Sequence, residues 1–337
     1  MRKIVAFVFC SVATAGWAQI GGRQAFDFLL IPTHARLAAM GGVNVSLADR
    51  DLNFFHNNPA LAGDTLNGFV SAAYQFYAGD VGNAMFSYAH DFGTFGQLLA
   101  GIQHTNYGTL QGYDETGMET LEFSSGETAV VIGKTHEIGN FRLGATVKAV
   151  FSSIAGYRAS ALLMDVGGIF LHPEQDLTIG LTIKNMGFIF SEYSNTSSSK
   201  VPFDVQAGIT LKPEYMPLRF SLSGYHLVRS RLLDADPAVT GERSSTLKKV
   251  FSHLNLGAEI LLHRNVNVLA GYNYLLHQAL QVEAGGSGAG FSYGFSLFVK
   301  PVELIFSRSA YTVGNAGYSF TLLTNTNYIL KRRTKKL

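Results

Sequence analysis

The chain has one cysteine, Cys10, and it lies close to the N-terminus. A mature protein without cysteine has no disulfide framework, no thiolate nucleophile and no cysteine-ligated zinc. Charge is scarce as well, since charged residues make up 15% of the chain against roughly 25% in ordinary soluble domains. After the N-terminus, the chain lacks the roughly 18 consecutive apolar residues that a transmembrane helix needs. Disulfide-rich, zinc-finger and helical membrane proteins are therefore excluded.

The N-terminus has the features of an export signal. Arg2 and Lys3 precede an apolar run, and Gly16–Ala18 fits the small-x-small pattern before a signal-peptidase site. We therefore expect residues 1–18 to be a signal peptide and the mature protein to begin near Gln19. Without Arg2 and Lys3, 24 basic residues balance 24 acidic ones. Nothing in this charge balance favours nucleic acid as a partner.

Alternating apolar and polar residues run through most of the remaining chain. In Phe203 to Lys212, one face holds Phe, Val, Ala, Ile and Leu, whereas the other holds Asp, Gln, Gly, Thr and Lys. The segments that begin at Leu143, Leu177, Leu218 and Leu254 separate in the same way. In an exported, charge-poor chain this pattern favours a closed β-barrel, because only helices and closed barrels satisfy every backbone polar group in lipid.

About fourteen candidate strands follow one another, each close to or longer than the ~9–11 residues of a tilted membrane strand. Short connections such as Gly139-Asn140 alternate with long ones, which are 108–126, 191–201, 230–249 and 278–288. Short turns at one rim and long loops at the other are typical of outer-membrane barrels, with the short side periplasmic. The sequence therefore predicts an all-β protein, a transmembrane antiparallel β-barrel of about 14 strands over residues 67–330. We expect it in the outer membrane of a Gram-negative bacterium, with both termini periplasmic.

The polar faces of these strands are expected to line the lumen. Their charged residues, the predicted lumen-facing charges, are Arg142, Lys148, Lys184, Asp204, Lys212, Arg219 and Glu259. The last strand is followed by a basic tail, residues 331–337. We expect this tail to be a solvated periplasmic end, and a contact with anionic lipid headgroups is the less favoured interpretation.

Residues 19–66 do not alternate. Pro32 and the Gly41-Gly42 pair interrupt any regular element, and Asn57-Asn58-Pro59 is a turn signal. The segment therefore predicts a compact plug, or hatch, inside the barrel. The residues expected to form it are Phe28, Pro32, Arg36, Gly41, Gly42, Asp49, Asp51, Asn58 and Pro59. Arg36 is expected to pair with Asp204 or Glu259, and Asp49 and Asp51 to form hydrogen bonds within the plug.

Several short motifs suggest chemistry that their context does not support. Gly290 to Gly294 matches the G-x-S-x-G elbow of hydrolases, but the strand pattern continues through it, so we expect Ser292 to point into the lumen. Asp49 and Asp51 open like a calcium loop, yet Phe54 stands where the loop needs glycine. The ten histidines show no metal-ligand spacing. We therefore predict a protein that is not an enzyme and uses no metal or cofactor.

The plug segment resembles a known family. The stretch F-x-F-L-x-x-P-x-x-A-R-x-A-A-x-G-G from Phe26 to Gly42, with Asp49, Asp51 and Asn58-Pro59-Ala60, is similar to the PorQ family. Its members are FadL-like outer-membrane barrels of the type IX secretion system. The resemblance implies that the barrel anchors a PorZ-like surface protein, alongside the PorU sortase and PorV, in an attachment complex that processes secreted cargo and fixes it at the cell surface. Outer-membrane lipid and lipopolysaccharide are the expected lipid partners.

Two other functions stay open at this point. Passive uptake of hydrophobic compounds is the alternative for a FadL-like barrel, but it needs an apolar passage, and the predicted lumen charges suit a plug better than such a passage. A polar porin is less favoured still, because the plug would block it. The sequence therefore favours a surface anchor over uptake, and uptake over a porin.

Overall fold

The computed structural model describes residues 24–114, 116–194, 198–228, 246–280, 288–312 and 315–328. The predicted signal peptide, residues 1–18, and the basic tail, residues 331–337, lie outside these ranges. So do most of the predicted long loops 230–249 and 278–288.

Fourteen antiparallel strands close into one barrel, as the sequence predicted. The strands are β1 (Phe69–Phe76), β2 (Gly82–Asp91), β3 (Gln97–Leu110), β4 (Phe123–Ile138), β5 (Phe141–Ile154), β6 (Tyr157–Leu171), β7 (Leu177–Ser191), β8 (Asp204–Leu211), β9 (Leu218–Gly224), β10 (Leu254–His263), β11 (Val266–Asn273), β12 (Phe291–Val299), β13 (Val302–Thr312) and β14 (Asn315–Asn325). Each strand pairs with its neighbours in sequence, and β1 pairs with β14 to close the ring, with Phe69 opposite Asn325.

Helical residues occur before and between the described strands, and also at 326–328 after β14. The segment before β1 holds helix α1 (Ala35–Ala39) and the 3-10 turns Asp27–Leu30, Leu52–His56, Pro59–Leu61 and Asp64–Leu66, and a further 3-10 turn, Gly93–Phe95, joins β2 to β3. Helix α2 (Thr246–Ser252) precedes β10, and helix α3 (Tyr274–Leu280) follows β11. None of the helices in the described ranges is long and apolar enough to cross a membrane. The long connection after β11 begins with α3, earlier than the sequence predicted.

The two faces of the strands differ as the alternation predicted. In β5, Thr146 and Lys148 are buried on the inner face, whereas Val147 and Phe151 are 50% and 51% exposed on the outer face. Large apolar side chains are exposed in the same way on every other strand except β11. An apolar band of this extent around a closed barrel matches lipid and not water.

The wall does not have a uniform height. Strands β3 to β7, here called the tall wall, have 14 to 16 residues. Strands β8 to β12, here called the low wall, have 7 to 10. The expected strand length fails most clearly at β9, which has 7 residues. Helices α2 and α3 both adjoin strands of the low wall, at its long-loop rim.

The predicted alternation of short and long connections holds only in part. The short turns, such as 139–140 between β4 and β5, do lie at one rim. At the opposite rim, however, 77–81 and 155–156 are also short. Ala155 and Gly156 have φ values of +50° and +83°, so they form a tight hairpin turn. β1 begins and β14 ends at the short-turn rim, and the assignment of that rim to the periplasm stays a prediction.

Candidate functional site

The segment before β1 occupies the lumen, and most of its residues are buried there. We call its described part, residues 24–66, the plug. It has little regular structure, because one short helix and several 3-10 turns are joined by extended residues. The barrel therefore supplies most of the contacts that order the plug.

Glycines on the inner face of the strands allow the plug to approach the wall. A Cβ at Gly180 would overlap the Val45 backbone, and one at Gly144 would overlap the Pro59 backbone. At each position of this set, a Cβ would meet an atom of the plug at 3.0 Å or less. The set, here called the glycine belt, is Gly101, Gly144, Gly167, Gly180, Gly208, Gly257, Gly271 and Gly294, each on a different strand. Glycine within a strand often marks the close approach of another backbone, so the belt makes wall and plug complementary in shape.

The Gly41-Gly42 pair turns the plug toward the low wall. Both residues have left-handed φ values, +88° and +91°, which glycine adopts without steric cost. The turn exposes backbone carbonyls to two asparagines: Asn255 Nδ2 donates to Val43 O at 2.7 Å, and Asn273 Nδ2 donates to Gly41 O at 3.1 Å. Both glycines are thus required by backbone geometry.

Arg36 of α1 is the centre of a buried charge cluster. Its Nε donates to Glu259 Oε1 at 2.7 Å, and its Nη2 donates to Asp49 Oδ2 at 2.7 Å. Arg219 Nη1 donates to the same two carboxylates, at 2.8 Å to Asp49 and 2.7 Å to Glu259. Asp51 Oδ2 lies 3.7 Å from Arg36 Nη1. Plug and low wall therefore share one ionic network, in which Glu259 is the strand residue beside Arg36.

The two plug carboxylates of this cluster have opposite pKa shifts. Burial acts to raise the pKa of Asp49, but the positive charges of Arg36 and Arg219 outweigh it, so this pKa lies below its ordinary value. Burial is also the largest influence on Asp51, and there it prevails, so the pKa of Asp51 is raised. Asp49 therefore stays ionised between the two arginines.

The second half of the plug is ordered by Asn58 and Pro59. Asn58 Oδ1 accepts a hydrogen bond from Ala60 N at 3.0 Å, and its Nδ2 donates to Val45 O at 2.8 Å. Pro59 O accepts from Thr135 Oγ1 of β4 at 2.9 Å. This turn joins the two halves of the plug and binds them to the tall wall.

Phe28 holds the start of the plug. Its side chain is 2% exposed and packs among apolar residues of the tall wall that include Ala129 and Val150. Pro32 lies nearby, and its carbonyl oxygen accepts a weak hydrogen bond from Asn83 Nδ2 at 3.4 Å. The contact here is apolar, unlike the charge cluster on the opposite side.

Three of the predicted lumen charges lie inside the barrel but do not bind Arg36. Lys148 Nζ is 2.6 Å from Asp165 Oδ2 and donates to Asn185 Oδ1 at 2.8 Å. Lys184 lies opposite Asp204 in the strand register. Asp204 accepts from Gln206 Nε2 at 2.7 Å and has His226 Nδ1 at 3.3 Å. Asp204 is therefore not the partner of Arg36, which corrects one of the two expected pairings.

Two further predicted lumen charges lie at the short-turn rim. Arg142 Nη2 is 2.6 Å from Glu137 Oε1, and its guanidinium lies against Gly63, where the plug leaves the lumen. Lys212 lies one residue beyond β8, with its Nζ 3.1 Å from Asp176 Oδ2 and 29% of its side chain exposed. The prediction that Lys212 faces the lumen is therefore wrong, because Lys212 lies at the rim.

The sequence did not indicate the neutral polar residues that bind the plug. Besides Asn255 and Asn273, Ser292 Oγ donates to Ala39 O at 2.9 Å. The hydroxyl of the apparent G-x-S-x-G motif thus points into the lumen and binds a plug carbonyl. No cluster of three or more metal-ligating side chains occurs in the described part of the chain. The only available signal was that these residues alternate with glycines on lumen faces.

A cavity of about 410 Å³ lies between the plug and the long-loop rim. Leu29 and Gly42 of the plug, Lys184 and Gln206 of the wall, and Leu276 of α3 lie along it. Its volume falls within the ~300–1,000 Å³ of small-molecule sites, and its lining is mixed apolar and polar.

No protein-family model and no curated protein sequence matches the chain. Solved structures do. The toluene transporter TodX of P. putida has a TM-score of 0.52 at 11% identity, over 88% of this chain and 99% of that chain. A deltaS2 mutant of the TodX monoaromatic hydrocarbon channel gives 0.51 at 13% identity, over 87% and 98%. A Pseudomonas aeruginosa FadL homologue gives 0.49 at 9% identity, over 88% and 99%.

The chain shares the closed barrel fold of the TodX structures. At identities this low the likeness concerns the fold alone, because one fold hosts many functions.

Proposed function

We propose that this chain is a non-enzymatic, FadL-like barrel of the outer membrane that anchors a surface component of a type IX secretion attachment complex. The observation that carries the proposal is the fastening of the plug, by the glycine belt around the lumen and by the charge cluster of Arg36. A plug held in this way fills the lumen, so the barrel serves as a support for another protein and not as a passage. The long-loop rim, with α2 and α3, is then the surface at which the protein acts.

The sequence resemblance supports the proposal from another direction. The residues that carry it include Arg36, Gly41, Asp49 and Asn58, and each of them makes a plug contact described above. The plug that the resemblance identifies is therefore also the part of the molecule with the most specific contacts. The partners of this proposal are a PorZ-like surface protein, the PorU sortase and PorV, with lipopolysaccharide as the lipid environment.

Uptake of hydrophobic compounds is the second candidate, and two observations favour it. The fold is shared with TodX, described as a toluene transporter, and the comparisons therefore favour uptake more directly than anchoring. The cavity of about 410 Å³ would also admit a small ligand above the plug. In this function the plug has to move, which requires the charge cluster to open.

Affinity isolation of the tagged protein from gently solubilised outer membranes tests the proposal. Mass spectrometry of the isolated material is expected to find a large surface protein in stoichiometric amount, and the untagged strain is the control. Cells lacking the chain should take up toluene at the wild-type rate. A barrel isolated alone, together with slowed uptake in the deletion strain, would overturn the anchor in favour of transport.

A further inference from the structure

Arg308 of β13 is a charged side chain on the outer wall of the barrel. Its neighbours Ser307 and Ser309 are buried on the inner face, whereas Arg308 is exposed on the outer face. Within the strands that the structure describes, Lys134 and Arg158 are the other lysine or arginine residues on the outer face. A charge facing lipid is costly unless it reaches an interface or a partner of opposite charge, so the surroundings of Arg308 show what it binds.

Aromatic residues flank Arg308 and continue below it. The strand register places it between Tyr293 of β12 and Tyr318 of β14, and its Cζ lies 5.8 Å from the centre of the Tyr293 ring. Two residues closer to the short-turn rim, the same three strands present Phe295, Phe306 and Phe320. The guanidinium therefore lies at the same height on the wall as the two tyrosines, and the surface on its short-turn side is apolar.

That apolar surface is concave. It encloses about 740 Å³ on the outer face of β1 to β3 and β12 to β14. The concavity arises because Ala72 and Ala84 are small, whereas their neighbours Tyr74, Phe86 and Phe320 are large. In a membrane such a space is filled by hydrocarbon, and its volume is in the ~300–1,000 Å³ range of specific ligand sites.

The level of Arg308 selects the leaflet. β13 runs from Val302 at the short-turn rim to Thr312 at the long-loop rim, so Arg308 lies nearer the long-loop end. In outer-membrane barrels this rim faces the cell exterior. A guanidinium there binds phosphate through two parallel hydrogen bonds, which a point charge does not provide.

We propose that Arg308 and the concavity bind one phosphorylated glycolipid of the lipid A type from the outer leaflet. In this complex Arg308 binds a phosphate group, and Tyr293 and Tyr318 contact the sugar rings. The acyl chains fill the space around Ala72 and Ala84. The proposal requires that the barrel lies in the outer membrane with its long-loop rim outward, so it holds for an anchor and for a transporter alike.

Native mass spectrometry of the purified full chain in detergent, titrated with lipid A, tests this site. Arg308→Gln is expected to weaken binding about tenfold, the effect of losing a charge-assisted hydrogen bond. Ala84→Phe should weaken it as well, because the added ring fills the concavity, and it leaves Arg308 in place. Arg158→Gln, which removes an outward arginine from β6 on the tall wall, is the matched control and should bind as the wild type does.

Folding of each variant is checked by its heat-modifiable migration on gels, so a misfolded barrel is recognised before binding is compared. Phosphatidylglycerol and dephosphorylated lipid A are the comparison probes, and both should bind more weakly than lipid A. Equal binding by Arg308→Gln and the wild type, or an equal loss in Arg158→Gln, would overturn the site. Tighter binding of phosphatidylglycerol would overturn its assignment to a glycolipid.

Discussion

The tall wall and the low wall hold the same plug by different interactions. At the tall wall, Phe28 packs in an apolar cluster, and the plug backbone lies against belt glycines such as Gly180. At the low wall, Glu259, Arg219 and Asn255 bind it through ion pairs and hydrogen bonds. Apolar contact is non-directional, whereas charge-assisted hydrogen bonds fix geometry. The ionic contacts of the plug therefore lie at the low wall, whereas the tall wall holds it by apolar contact and neutral hydrogen bonds such as that of Thr135 to Pro59.

Arg36→Ala is expected to release the low-wall side of the plug. The change leaves Glu259 buried beside a single arginine, and breaking a buried ion pair in this way costs about 3–5 kcal/mol. The measurement is protease cleavage within the plug of the folded barrel. Lys212→Ala, which breaks the exposed rim pair with Asp176, is the control and should cost about 0–1 kcal/mol. Unchanged protease resistance in Arg36→Ala would show that the charge cluster does not hold the plug.

Phe28→Ala should release the tall-wall side by a similar amount, about 3–5 kcal/mol for a buried phenylalanine. Because its contacts are apolar, its effect should not depend on ionic strength, whereas partial screening should alter the effect of Arg36→Ala. Protease cleavage at low and high salt compares the two variants. An equal salt dependence of both would remove the distinction between the walls.

Gly180→Ala adds one methyl group at a point where the plug and the wall approach closely, and so tests whether that approach matters. The new Cβ would overlap the Val45 backbone, and forced overpacking of this kind costs about 1–3 kcal/mol. Gly288→Ala is the matched control, because a Cβ there meets nothing within 4 Å. Thermal unfolding in detergent should separate the two variants, and equal midpoints would contradict the role of the belt.

Mild acid should loosen the plug through His34. Burial, with the positive charge of Arg36 added, lowers the pKa of His34 to about 3. Between that value and the unfolded pKa of about 6.5, only the released plug binds the proton, so stability falls as pH falls, by about 1.4 kcal/mol per unit. Plug cleavage at pH 7 and pH 5 measures this. His34→Gln should reduce the response but not abolish it, because burial also lowers the pKa of His56 in the plug. Equal responses of the wild type and the variant would contradict the role of His34.

The strands were predictable because lipid outside and a polar plug inside impose strict alternation, as in β8. The pairing of Arg36 was predictable only as a choice between Asp204 and Glu259, since strand register decides which acid faces α1. Helix α3 was missed because its apolar residues continue the pattern of β11. Arg308 was missed because a single outward charge barely changes the alternation of β13. The glycine belt was visible as glycines on polar faces, but its meaning depends on the path of the plug.

The closure of the ring between β1 and β14 has a consequence for the order of assembly. β1 directly follows the plug in sequence, and β14 is the last described strand, so the barrel can close only after nearly the whole chain is available. The glycine belt spans strands from β3 to β12. A sheet that grows strand by strand would therefore add plug contacts in the same order. Such long-range pairing folds slowly. We therefore expect the sheet to curl around the plug during assembly. Variants of the glycine belt should then delay insertion into the membrane even where the finished barrel is stable.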